Sequence, residues 1–122
     1  MRVVFWWALC VIVVVFQIWE LASGAAGDAA KGKVKYQEVC APCHGASGKG
    51  DGPAAGGLPT KPRNHTDAAY MGKLKDQQIF DVIKKGGQGV GKSPLMPPWG
   101  GQISDQEIQN LVAYIRTLAR KP

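Results

Sequence analysis

The chain has 122 residues and a formal net charge of +6, from 15 Lys and Arg against 9 Asp and Glu. That length holds one domain and a tail and excludes a large multi-domain enzyme. Sixteen Gly and eight Pro are many for a helical protein and point to substantial ordered loop. Val3 to Phe16 is an unbroken apolar run, extended past Gln17 by Ile18 and Trp19, with Arg2 before it and Ala22-Ser23-Gly24-Ala25-Ala26 behind it. A positive start, an apolar centre and a small-residue exit are the layout of a secretory signal peptide. Residues 1–25 are therefore expected to be a leader, cleaved after Gly24, Ala25 or Ala26. The alternative is an uncleaved membrane anchor: as a helix, Val3 to Trp19 reaches about 25 Å, short of a ~30 Å hydrocarbon core. Trp6, Trp7 and Trp19 would then be its interfacial aromatics. Cys10 follows Leu9 rather than a small residue and does not read as a lipid-attachment site. Either way the domain, residues 26–122, ends outside the cytoplasm. Losing the leader removes Arg2 and Glu20 and leaves the charge at +6. A core of this size is marginal and gains from a disulfide, a metal or a bound cofactor.

Three helices are predicted. The first begins at Asp28 and places Ala29, Gly32, Tyr36, Val39 and Cys40 on one face, with Lys31 and Lys35 off it. The second runs from about Asp76 to Lys85, with Ile79, Val82 and Ile83 together; Lys84 and Lys85 suit its dipole and Gly86-Gly87 a left-handed cap. The third starts on a capping box of Ser104 and Glu107 with Ile103 and Ile108 placed for a hydrophobic staple. Its stripe is Ile108, Leu111, Val112, Ile115, Leu118 and Ala119. Gly45 to about Lys73 and Gly86 to Gln102 read as long loops, which in a small domain wrap something or carry function. No segment alternates with period two, so the fold class is all-α.

The chemistry lies in Cys40-Ala41-Pro42-Cys43-His44. C-x-x-C-H is the attachment signal for haem c. Two thiols three positions apart on a tight turn reach both vinyl groups of one haem, and the following histidine lies under the porphyrin plane and offers a neutral nitrogen to iron. Zinc wants four ligands, and only His65 remains to join the three here. A thioredoxin-like redox pair would follow a strand, and none is predicted.

The sixth iron position has several candidates. Met96 lies in Ser93-Pro94-Leu95-Met96-Pro97-Pro98-Trp99, whose prolines lower the entropic cost of holding one thioether against a metal. Met71 reads as a core filler and His65, among Arg63, Asn64 and Thr66, as part of a polar loop. An open site is the remaining possibility. Met96 is the expected ligand: a Met/His pair favours reduced iron and leaves no vacancy for substrate.

The chain resembles the class I c-type cytochromes, small bacterial monohaem proteins similar to the cytochrome c domains of cbb3-type oxidase subunits. The matching residues run from about Gly27 to Ala119: Gly27 to Gly32, Cys40 to Gly45, Gly48 to Pro53, Ser93 to Gly100 and Leu111 to Ile115. The resemblance implies a small cytochrome c fold of three main helices and long Gly/Pro-rich loops around one covalent haem. In it Gly32 and Tyr36 meet Leu111 and Tyr114 where the first and last helices cross. It also implies that a proline carbonyl, from Pro59 or Pro53, holds the second nitrogen of His44, and that Trp99, Tyr70 or Arg63 hydrogen-bonds a haem propionate.

The favoured function is a periplasmic carrier passing single electrons between redox proteins of a respiratory chain, not an enzyme. A haem enzyme or gas sensor with an open distal site is the alternative, as is a tethered subunit of a membrane oxidoreductase facing the periplasm. Lys31, Lys33, Lys35, Lys49, Lys61, Lys73, Lys75, Lys84, Lys85 and Lys92 suit docking on an acidic patch of a redox partner; export disfavours nucleic acid as a partner.

Overall fold

The computed structural model describes residues 26–120; the expected leader, residues 1–25, lies outside them. All regular structure among the described residues is helical: α1 (Ala29–Val39), α2 (Ala41–His44), α3 (Ala68–Met71), α4 (Asp76–Lys85) and α5 (Asp105–Leu118), with short 3₁₀ turns at Ala55–Gly57 and Gln88–Val90. None of these helices is long and apolar enough to cross a membrane.

Asp28 caps α1, its carboxylate accepting from the backbone N–H of Ala30 at 2.9 Å and of Lys31 at 3.1 Å. Of the predicted stripe, Gly32, Tyr36 and Cys40 are buried. A Cβ on Gly32 would lie 1.9 Å from the carbonyl oxygen of Asn110, so α1 and α5 touch backbone to backbone at this glycine. Tyr36 is fully buried beside the crossing, edge-on to Tyr114 with ring centroids 5.1 Å apart. The expected meeting of Gly32 and Tyr36 with Leu111 and Tyr114 is thus modified: Gly32 abuts Asn110 and Tyr114. Asn110, which the apolar stripe gave no reason to single out, is buried with its Oδ1 accepting from the Asp28 N–H at 2.8 Å and Gln106 Nε2 at 3.1 Å.

α5 starts on the predicted box. The Ser104 hydroxyl accepts from the Glu107 N–H at 3.2 Å while Glu107 Oε2 accepts from the Ser104 N–H at 2.9 Å. Ile103 and Ile108 are both buried, as a staple requires. Ile108, Leu111, Val112, Ile115 and Leu118 form the core with Ile79 and Ile83 of α4 and with Met71. Arg116 ties α5 to the segment joining α3 and α4, donating to Asp76 at 2.6 Å, to the Met71 carbonyl at 2.7 Å and to the Leu74 carbonyl.

α4 has the predicted bounds but not the predicted end. Gly86 has φ 73° and ψ 171°, a glycine conformation outside the left-handed helical region. The open carbonyls of the last turn are filled from elsewhere: Trp99 N–H donates to Ile83 at 2.9 Å and Gly100 N–H to Lys84 at 3.1 Å. A helix capped by a distant segment needs no local cap. The segment that supplies those donors is the one carrying Met96.

Candidate functional site

Cys40 joins two helices, closing α1 and opening α2, and Pro42 sits in the first turn of α2, where its missing donor costs nothing. The expected tight turn is therefore a helical one, with Cys43 and His44 both donating to the Cys40 carbonyl, at 3.2 and 2.9 Å. Cys40 is buried and Cys43 half-buried, and the two are not joined to each other.

His44 is half-buried and its Nδ1 lies 3.0 Å from the Arg63 carbonyl oxygen. Burial lowers its pKa below the usual histidine value, and the Arg63 contact opposes this. The ring is thus neutral near pH 7, donating from Nδ1 and leaving the Nε2 lone pair available to a metal. The partner is neither Pro53 nor Pro59, the two prolines expected. Pro59 is exposed, beyond the 3₁₀ turn that carries the chain outward. The chain returns at residues 62–65, where a Cβ on Gly50 would meet the Pro62 carbonyl oxygen at 2.4 Å and His65 N–H bonds to the Gly48 carbonyl at 2.7 Å. That return presents the carbonyl of Arg63.

His65 lies on a loop as expected, but its ring is turned inward. Its ring stacks on that of His44, with centroids 4.3 Å apart and planes 16° from parallel. Its Nδ1 lies 2.9 Å from the Tyr36 hydroxyl. Burial, with the neighbouring His44 and Arg63, lowers its pKa to about 3. No group of three or more His, Cys, Asp or Glu side chains able to hold a metal ion by themselves occurs among the described residues, so the four-ligand zinc arrangement is not assembled.

Met96 is half-buried on the 93–99 strap. Gly87 N–H donates to its carbonyl at 2.9 Å, and a Cβ on Gly87 would come within 1.9 Å of the Ser93 carbonyl oxygen. The two glycines after α4, expected only as a helix stop, are the bed on which the strap lies. Met71 is 2 % exposed and belongs to the core, as expected. Trp99 packs against the core and holds the end of α4 through its backbone. The Arg63 guanidinium lies 3.7 Å from the Tyr70 ring centroid, and Lys92 Nζ lies 3.4 Å from the Tyr70 hydroxyl. Lys92 N–H in turn donates to the Gly87 carbonyl at 2.7 Å. Arg63, Tyr70, Lys92 and Gly87 therefore form a continuous link between His44 and the Met96 strap.

Two thiols and a neutral imidazole on one helical turn, with a thioether held on a separate strap, suit a covalently attached porphyrin iron and its preference for nitrogen and sulfur. An all-helical domain with this motif at the end of its first helix defines a c-type cytochrome. The comparisons agree. A family model described as "Cytochrome C oxidase, cbb3-type, subunit III" matches residues 27–115, and the chain belongs to that family. Cytochrome c-554(547) of Halothiobacillus neapolitanus is 40% identical over 95 residues, spanning 76% of this chain and 99% of that protein. The cbb3-type cytochrome c oxidase subunit FixP of Bradyrhizobium diazoefficiens is 32% identical over 91 residues, 75% of this chain but 28% of that subunit. Among solved structures, the KustC0563 c-type cytochrome matches with a TM-score of 0.57 and 26% identity, over 73% of this chain and 98% of that one. The protein is a c-type cytochrome of electron transport, with covalently bound haem c.

Proposed function

We propose that the protein is an exported monohaem carrier of single electrons, with residues 1–25 a cleaved leader and residues 26–122 the working domain in the periplasm. Cys40 and Cys43 would hold the haem through thioethers, and His44 through Nε2 and Met96 through its thioether would ligate its iron. Haem c supplies the one-electron Fe(III)/Fe(II) couple when bound. The observation that carries this reading is the His44 geometry: a neutral ring whose Nδ1 is bound by the Arg63 carbonyl has only Nε2 to give. Gly86 and Gly87 leave room for the strap to lie close, and the strap's prolines lower the entropic cost of holding Met96 in one place. Trp99, Tyr70 and Arg63 are the candidates for binding the propionates.

Iron held by the same two ligands in both oxidation states leaves no place for a substrate, which supports a carrier rather than an enzyme. The near-complete match to cytochrome c-554(547) supports a small single-haem carrier more than a subunit tethered in an oxidase. Partners are redox proteins bearing an acidic patch: Lys49, Lys61 and Lys73 are exposed, and none of them is in an ion pair among the described residues. The oxidised holoprotein is expected to show a sulfur-to-iron charge-transfer band that is lost in Met96→Ala. Immediate carbon monoxide binding by the unsubstituted ferrous protein would overturn the carrier reading in favour of an open-site enzyme or gas sensor. A mature N-terminus still at Met1 would overturn the cleaved leader and place the domain on a membrane anchor.

A further inference from the structure

A single hydrogen bond to one edge of an imidazole fixes where the ring points but not how it is turned about that bond. The Arg63 carbonyl gives His44 such a bond at 3.0 Å. The turn about it is fixed by something pressed against the face of the ring, and that something is the side chain of His65, nearly parallel at 16° with a centroid distance of 4.3 Å. His65 is itself anchored at both ends. Its backbone N–H bonds to the Gly48 carbonyl at 2.7 Å, and its Nδ1 lies 2.9 Å from the Tyr36 hydroxyl. Tyr36 cannot move to follow it: the ring is fully buried at the α1–α5 crossing, against Tyr114. The frame of the fold is thereby connected to the plane of the His44 ring through two side chains.

The geometry points to His65 as a positioning residue, locked by Tyr36, that sets the angle of the His44 ring plane about its axis toward the iron. This inference rests on His44 being an iron ligand. An aliphatic side chain in place of His65 would press on the same face without any bond to Tyr36, and the ring plane would have more freedom. The three residues Arg63 to His65 thus supply two restraints on one ligand, an edge contact from a carbonyl and a face contact from an imidazole. Two such restraints hold a ligand in one orientation in both oxidation states, the condition for small reorganisation during electron transfer.

The test uses the haem-loaded protein and its variants His65→Leu, His65→Phe and Tyr36→Phe. The readout is the spread of the paramagnetically shifted haem methyl resonances in the oxidised form, which reports the orientation of an axial imidazole plane. The methyl pattern is expected to shift most in His65→Leu. Smaller shifts are expected in His65→Phe, which keeps a flat face, and in Tyr36→Phe, which removes only the hydroxyl. Visible spectra should stay those of an unchanged ligand set. A methyl pattern identical to that of the parent protein in His65→Leu overturns the proposal, and a shift in His65→Leu with none in Tyr36→Phe overturns the role of Tyr36 as its lock. If His65→Leu fails to mature, His65→Ala takes its place with the same two outcomes. A His44→Ala protein whose haem spectrum is unaltered would instead refute the ligand assignment, a result that the His65 variants cannot mimic.

Discussion

The two segments proposed to ligate the iron are held in place by different means. The His44 side is held largely by side chains: beyond one backbone bond to the Arg63 carbonyl, the motif histidine is stacked on His65, which Tyr36 backs. The Met96 side is built from backbone: a proline-rich strap bedded on Gly87 and tied by its amides to the open end of α4. Side-chain restraints can be adjusted one substitution at a time, whereas a backbone bed tolerates a side chain or it does not. The lesson is that one side is tuned and the other is gated by available space.

Substitutions that fill space separate the two sides. The largest effect is expected from Gly32→Ala, whose Cβ would press on the Asn110 carbonyl and part α1 from α5. Overpacking of this kind costs about 3 kcal/mol, and because Tyr36 lies at the same crossing, both sides should loosen together. Chemical denaturation of the holoprotein would show a lower midpoint, and the Met96-dependent band should weaken in parallel. Gly87→Ala breaks the symmetry. Its backbone is ordinary helical, φ −61° and ψ −42°, so the damage is purely steric, against the Ser93 carbonyl. A cost of about 1–3 kcal/mol is expected to fall on the strap. The charge-transfer band should be lost while the thioether-linked haem stays attached and His44 stays ligated.

The smallest effect should leave both sides alone. Ser104→Ala removes the side-chain cap of α5 at a cost of about 1 kcal/mol, and the visible spectrum should not change. Acid adds a second reading of the same cap. The Ser104 N–H and hydroxyl hold the Glu107 carboxyl below its ordinary value of 4.5, with Lys35 assisting. A carboxyl whose pKa is lower folded than unfolded stabilises fully above the unfolded value and stops doing so as pH falls through the folded one. Stability should therefore decline in that acid range, and less steeply in Glu107→Gln; an equal slope in both proteins would remove Glu107 from the account.

Helices with a clear period were legible from residues alone: α4 begins at Asp76 and α5 behind the Ser104 cap, as expected, because the buried faces are marked there. The attachment motif was legible too, since its chemistry is contiguous. What escaped prediction is what depends on the chain's return path. Nothing near Arg63 marks its carbonyl as the partner of His44, because any residue has a carbonyl and only the path through Gly48 and Gly50 chooses this one. His65 has polar neighbours in sequence and apolar or aromatic ones in space, so local composition pointed the wrong way. Gly86 and Gly87 looked like punctuation after a helix, and their second use appears only when residues 93–100 lie across them.

The surface of α1 marked by Gly32 and Tyr36 has its partner in Asn110 and Tyr114, at the far end of the chain. The partner helix, Asp105–Leu118, lies at the far end of the domain from the Cys40–His44 turn, so the crossing forms only once nearly all of the domain is available. Until then the domain cannot close, and Cys40, which is buried in the finished fold, remains reachable from solvent. Late closure gives maturation an opening that the finished molecule no longer offers.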